Sequence, residues 1–264
     1  MISKSPRIPH TSGWEYVRST TTGIKKLDDA LMNGVPRGYS LLVMGTPSSG
    51  MELFAKQFLS GKLDEKAVYF TTLETTEEVI LVMKLYKWRT DVSIVSVAND
   101  YYEKVLAKKL DAVKLRKDGL KVSDIGTLGN MEKRESVNFL ETLTYEISKL
   151  KENYRVAIDT IGFFLEHYSP EDVLSAIRTI KAHVHYTKGL ALFTMVKDIY
   201  DKRIENSISA IVDCVIDLET VSVGTEFESR LIIRKVKNMP QKVLTLIYSI
   251  TDHGITPESI TRIG

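Results

Sequence analysis

A hydrophobic run, Tyr39 to Met44, ends in the octapeptide Gly45-Thr46-Pro47-Ser48-Ser49-Gly50-Met51-Glu52 and leads into a helical pattern that continues to Ser60. A strand, a glycine-bounded turn and a helix start make the frame of a phosphate-binding loop. In such a loop, backbone N–H groups and the positive end of the helix dipole hold phosphate oxygens. The frame commits the chain to an α/β sheet with this loop at a strand's C-terminal end. Its chemistry departs from the pattern G-x-x-x-x-G-K-[ST], whose last two positions supply a lysine for the phosphates and a hydroxyl for Mg²⁺. Here those positions hold Met51 and Glu52.

Met51 carries no charge, and Glu52 places an anion where a phosphate would sit. A carboxylate in a first helical turn is stabilised by roughly 0.3–1 kcal/mol, so the chain fills its own anion site. Against a phosphate about 4 Å away, the same carboxylate costs on the order of 4 kcal/mol at an effective dielectric of 20, unless a divalent ion bridges them. The residues therefore predict weak or absent binding of ATP and Mg²⁺, and no bound cofactor or metal.

A length of 264 residues at 43% hydrophobic and 27% charged content suffices for one sizeable α/β core. Residues 1–21 read as an extended N-terminal arm, with Pro6, Pro9 and Gly13 breaking regular structure and Trp14 and Tyr16 as its aromatic anchors. Residues 22–264 read as one domain. The balance of 36 basic and 34 acidic residues demands neither nucleic acid nor an anionic membrane. No run reaches the roughly 18 apolar residues of a membrane span, and the first residues lack a signal core, so a cytoplasmic protein is expected. Cys214, the only cysteine, lies in an apolar run and reads as a buried small hydrophobe.

The segment Thr22-Gly23-Ile24-Lys25-Lys26-Leu27-Asp28-Asp29-Ala30-Leu31-Met32-Asn33-Gly34-Val35-Pro36-Arg37-Gly38 leads directly into the loop. It resembles the entry sequence of the RecA superfamily in its KaiC/RadA-like branch, T-G-x-x-x-L-D-x-x-L-x-G-G-[IV]-x-x-G, with Asn33 in place of one glycine. Further along, Tyr154 to Asp159 is a hydrophobic strand ending in aspartate and is similar to the branch's Walker B strand. Glu74, after the strand Ala67 to Leu73, matches the first of the branch's two water-activating glutamates, and Thr75 stands for the second. Strands Val92 to Val97, Leu190 to Val196 and Cys214 to Leu218 complete a parallel set. Ser229 to Lys237 and Lys242 to Ile250 resemble the closing hairpin, which supplies a lysine and an arginine to the nucleotide of the next subunit. Lys235 and Lys237 occupy those positions, and a lysine lacks the bidentate fork of arginine.

The resemblance implies a RecA-like core: a mainly parallel twisted sheet with helices on both faces, plus a C-terminal antiparallel hairpin. It does not by itself assign a function. The altered loop, the single glutamate and the missing trans arginine together point to a catalytically inactive, pseudo-ATPase form. Glu74 and Asp159 then remain as vestigial catalytic positions, and residues 45–52, Lys235 and Lys237 as vestigial nucleotide positions. Such a form is expected to work through a protein or peptide partner and through homo-oligomeric association.

Two other readings stand beside it. One is a divergent nucleotide sensor or slow ATPase, in which Glu52 ligates Mg²⁺ and Lys56 or a trans Lys235 replaces the missing charge; Lys56 lies a turn further from the phosphates than the loop lysine would. The other is a DNA-associated recombinase accessory factor using the basic stretch 100–121, with Lys108, Lys109 and Lys117. That stretch reads as a solvated helix face, because Tyr101 and Tyr102 are its only aromatic residues for base stacking. Glu132 to Glu152 reads as one long amphipathic helix. His183 and His185 sit on a helix about 200° apart, which argues against a shared metal.

Overall fold

The computed structural model describes residues 19–107, 110, 113–114, 117, 138–239 and 244–261. In chain order these form β1 (Ser19–Thr20), α1 (Lys25–Ala30), β2 (Val35–Pro36), β3 (Ser40–Gly45), α2 (Met51–Ser60), β4 (Lys66–Thr71), α3 (Thr76–Leu85), β5 (Val92–Ser96) and α4 (Val97–Tyr101). They continue as α5 (Phe139–Ser148), β6 (Tyr154–Asp159), α6 (Gly162–His167), α7 (Pro170–Thr187), β7 (Leu190–Val196), α8 (Lys202–Ile211), β8 (Cys214–Val223), β9 (Glu226–Val236), β10 (Leu244–Thr251) and β11 (Gly254–Thr261). A π-helical turn, Tyr102–Leu106, extends α4.

Strands β3, β6 and β7 are apolar along almost their whole length and buried on both faces, as parallel strands covered by helices on either side must be. Their alternate side chains feed two cores. Leu41 and Val43 of β3 pack with Leu27 of α1, Phe54 and Phe58 of α2, and Val79 and Met83 of α3. Leu42 and Met44 pack on the other face with Leu143 of α5, Phe164 of α6, Ile177 of α7 and Ile208 of α8. The main sheet runs β11-β10-β9-β8-β3-β7-β6-β4-β5, parallel from β8 through β5 and antiparallel from β8 to β11. This is the expected fold class, with one enlargement. The predicted two-stranded ending is a four-stranded antiparallel wing, because β8 runs on to Val223 and β11 is a full strand.

Local capping sets the helix limits. Helix α5 starts at Phe139 because the Asn138 side chain accepts from the N–H groups of Leu140 and Glu141, so the long helix expected from Glu132 does not run continuously into it. The residues before 138 in that expectation lie outside the described ones. Helix α7 has Ser169 as its N-cap, Pro170 in its first turn and Lys188 in the left-handed region at its end. Cys214 is buried in the sheet, where burial first, and Asp213 second, push its thiol up to about 12. Of the expected N-terminal arm only Ser19 to Thr21 are described, with β1 pairing antiparallel with β2; Trp14 and Tyr16 lie outside. Lys117 of the basic stretch is exposed, and Lys108 and Lys109 are not among the described residues.

Candidate functional site

The loop 45–52 sits at the C-terminal end of β3, between the C-terminal ends of β7 and β8, the position where open α/β sheets place ligands. Backbone bonds hold it there. Thr46 N–H donates to Leu218 O at 3.3 Å, and Lys197 N–H donates to Gly45 O at 2.9 Å. Ser49 N–H donates to Thr46 O at 3.1 Å, closing the turn. Ser48 (φ 67°) and Gly50 (φ 83°) take the left-handed conformation that turns successive N–H groups to one side.

The inside of this turn is occupied by the chain's own side chains. Met51 is buried, and a Cβ built on Gly45 would lie 2.8 Å from Met51 Cγ and 2.2 Å from Ser49 Oγ, so both side chains close directly onto the Gly45 backbone. Thr46, Pro47 and Ser48 form the outer rim, and Glu52 stands exposed in the first turn of α2. The C-terminal wing covers the other side. The Tyr248 hydroxyl donates to Ser49 O at 2.7 Å, and the Ile250 side chain lies against Gly50. Burial, against a hydrogen bond with Ser229 that lowers it, pushes the Tyr248 phenol up to about 12, so it remains a donor.

Glu74 and Asp159, both singled out from the sequence, are bridged by Tyr69, which was not. The β4–β6 register sets Thr71 opposite Asp159, so Tyr69, two residues back, lies on the same face and reaches towards the carboxylate. Its hydroxyl donates to Asp159 Oδ2 at 2.5 Å and lies 3.4 Å from Glu74 Oε2. Thr194 of β7 donates to Asp159 Oδ1 at 2.5 Å. Lys56 of α2, with no exposed surface, donates to Glu74 Oε2 at 2.6 Å and lies 5.5 Å from the centre of the Tyr69 ring. Burial, reinforced by Asp159 and Glu74, raises the Tyr69 phenol well above its usual range and keeps its proton in place. Each acidic group thus has a protein donor. Tyr69 was legible only as a phenol in a buried strand, a group that needs a partner.

Thr75, which stands for the second glutamate, has a local task. Its hydroxyl accepts from Glu78 N–H, and the Glu78 carboxylate accepts from Thr75 N–H, a capping box that starts α3. Thr75, and not the neighbouring Glu74, is therefore the N-cap of α3.

Lys235 and Lys237 are both engaged within their own chain. Lys235 Nζ donates to the carbonyls of Ser209, Ala210 and Val212 at 2.7–2.9 Å, at the negative end of that helix. Lys237 Nζ lies 3.5 Å from Asp213 Oδ1, and Lys181 Nζ lies 2.9 Å from the same oxygen. Burial would raise the Asp213 carboxyl, but bonds from Lys181 and Ser40 outweigh it and hold it below the usual range. Lys197, not singled out from the sequence, pairs with Asp217 at 2.7 Å beneath the loop, and Arg234 joins Asp217 at 2.8 Å. The histidines of α7 lie apart in role: His183 Nε2 is 2.8 Å from Leu150 O, and His185 is exposed. Among the described residues no cluster has the makings of a metal site, and no helix is long and apolar enough to cross a membrane.

Comparison with known proteins bears on the family and the fold. A family model described as "ATPase: KaiC" matches residues 20–260. The circadian clock oscillator protein KaiC of Synechococcus elongatus is 25% identical, over 93% of this chain and 45% of its own length, so the chain spans less than half of that relative. A UPF0273 protein of Aeropyrum pernix is 27% identical over 92% of this chain and 95% of its own. The archaeal flagellar ATP-binding protein FlaH of Sulfolobus acidocaldarius is 22% identical over 77% and 80%. Among solved structures, a KaiC-like protein of Pyrococcus horikoshii OT3 superposes with a TM-score of 0.63 at 17% identity, covering 92% of this chain and all of that one, a likeness of fold.

Proposed function

The chain belongs to the KaiC ATPase family, and from that premise we propose that it is a member that does not hydrolyse ATP and acts by binding a protein or peptide and by associating with further subunits. The observation that carries the reading is the closed set of contacts Lys56–Glu74–Tyr69–Asp159. A water-activating glutamate needs a free carboxylate facing the attacking water, and a Walker B aspartate needs free oxygens towards Mg²⁺ and its waters. Here a buried ammonium neutralises the first, and a hydroxyl donates to each oxygen of the second, which orients Asp159 towards its own chain.

The loop supports the same reading from the other side. Met51 and Ser49 fill the space above Gly45, and Glu52 adds negative charge at the mouth. The lysine considered as a substitute, Lys56, is engaged with Glu74. For it to serve a phosphate, the Glu74 pair must open and a buried ammonium must move a helical turn towards the loop. The sensor reading requires that rearrangement, and no contact favours it. With catalysis removed, what remains to act is surface, and the partner and self-association parts of the proposal rest on that.

Phosphate release from Mg-ATP tests the catalytic half. The protein should release no more phosphate than its own Glu74→Gln variant. Turnover that depends on Glu74 would overturn the proposal and make the chain a slow ATPase.

A further inference from the structure

The parallel strands begin along one edge of the sheet, and the loop 45–52 lies at the opposite edge. At roughly 3.3 Å per residue, the six residues of β6 put about 20 Å between the two. A cavity of about 940 Å³ opens at the starting edge, lined from the end of α5, the end of α7 and the turn before β3. None of the candidate site lies in it. Its volume is near the upper end of the range for ligand clefts.

Arg37, Lys151 and Lys188 line the cavity against one carboxylate, Glu152. Lys151 and Lys188 are exposed and have no ion pair among the described residues. Arg37 gives Nη2 to Glu65 at 2.6 Å, while its Nε and Nη1 have no partner among the described residues. Helices α5 and α7 also end here, and each carbonyl end brings about half a negative charge. That offsets one lysine, and the cavity stays positive. Lys188 is the informative member. It takes the left-handed conformation (φ 58°) directly after α7, where glycine is the unstrained choice. Its stem lies against Gly38, next in sequence to Arg37: a Cβ built on that glycine would be 3.6 Å from Lys188 Cδ. Leu150 and Tyr186, the latter 86% exposed, add apolar surface beside the charges.

We propose that this cleft binds an acidic segment of a partner protein. The free edge of the Arg37 guanidinium takes one carboxylate through paired N–H groups, and Lys151 and Lys188 take further carboxylates as point charges. Tyr186 and Leu150 cover the segment's apolar atoms. Three cations spread around a cleft of this size match a chain bearing several carboxylates better than one small anion. The inference rests on the partner-binding part of the reading above, and gives that partner a place and a chemistry.

The test is fluorescence anisotropy of labelled hexaglutamate with the full chain, with hexaglutamine as the uncharged control. The natural protein should bind hexaglutamate at low ionic strength and release it as salt is added. Lys151→Ala and Lys188→Gly should each bind at least about tenfold more weakly, the loss of one charged hydrogen bond. Glycine suits the backbone at 188, so Lys188→Gly should unfold no more easily than the natural protein, which separates lost binding from lost fold. Lys202→Gln, at an exposed lysine beyond the other end of the strands, should bind like the natural protein. An equal loss in all three variants would mean diffuse attraction and overturn the cleft. Binding unchanged by Lys151→Ala and Lys188→Gly would also overturn the cleft, while leaving peptide binding standing. Equal affinity for hexaglutamine, or no binding of hexaglutamate by the natural protein, would overturn the acidic partner; the phosphate-release test is indifferent to either.

Discussion

Replacing Glu65 with alanine should lower the stability of the fold by about 3–5 kcal/mol, the usual cost of stripping one partner from a buried ion pair. Glu65 is buried between two guanidiniums: Arg155 Nε at 2.7 Å and Nη2 at 2.6 Å, and Arg37 Nη2 at 2.6 Å, with Thr20 Oγ1 donating at 3.2 Å. Arg155 has no exposed surface; its Nη1 donates to Phe58 O at 2.5 Å, and its guanidinium lies 5.1 Å from the Phe58 ring centre. Burial lowers the Arg155 pKa, and Glu65 opposes that effect. Without Glu65, a buried cation faces a second cation, with only the weaker field of Asp28 to oppose it. In a chain of this size the expected loss corresponds to a fall in Tm of roughly 10 °C. Adding Arg155→Met to Glu65→Ala should recover part of it, because the uncompensated charge is then gone. A loss under ~1 kcal/mol in chemical denaturation would contradict this account of the core.

The Glu74→Ala variant carries the second large effect, and it bears on the site. If Glu74 were a free catalytic carboxylate, its removal would cost turnover and little stability. In this structure it is the counter-ion of Lys56, whose side chain has no exposed surface, while Glu74 is 24% exposed. The expected cost is about 2–3 kcal/mol, below the range for a fully buried pair because water reaches the Glu74 side and can partly solvate what is left. Combining Lys56→Met with Glu74→Ala should be less destabilising than Glu74→Ala alone. Equal denaturation midpoints for natural and Glu74→Ala proteins would mean that the Lys56 pair does not hold the site closed.

The fold was legible because its strongest signals are local. The glycine-bounded turn after β3, the aspartate ending β6 and the apolar parallel strands each follow from residues close in sequence. The site was legible in its positions and not in its contacts. Glu74 and Asp159 stood out by spacing, but their partners are set by the β4–β6 register and by the seating of α2 over it, which bring residues 56, 69 and 194 to one point. No local pattern encodes that meeting. The same holds for Lys235, where spacing suggested a neighbour's nucleotide and the fold directs the ammonium to three carbonyls of its own α8.

The central claim is that the chain's own side chains occupy the nucleotide site, and calorimetric titration with Mg-ATP tests it most directly. The natural protein should give no binding heat, whereas a Met51→Lys, Glu52→Thr double variant, which restores the phosphate lysine and the Mg²⁺ hydroxyl, should bind. Micromolar binding by the natural protein would contradict the claim and make a nucleotide-gated sensor the working model.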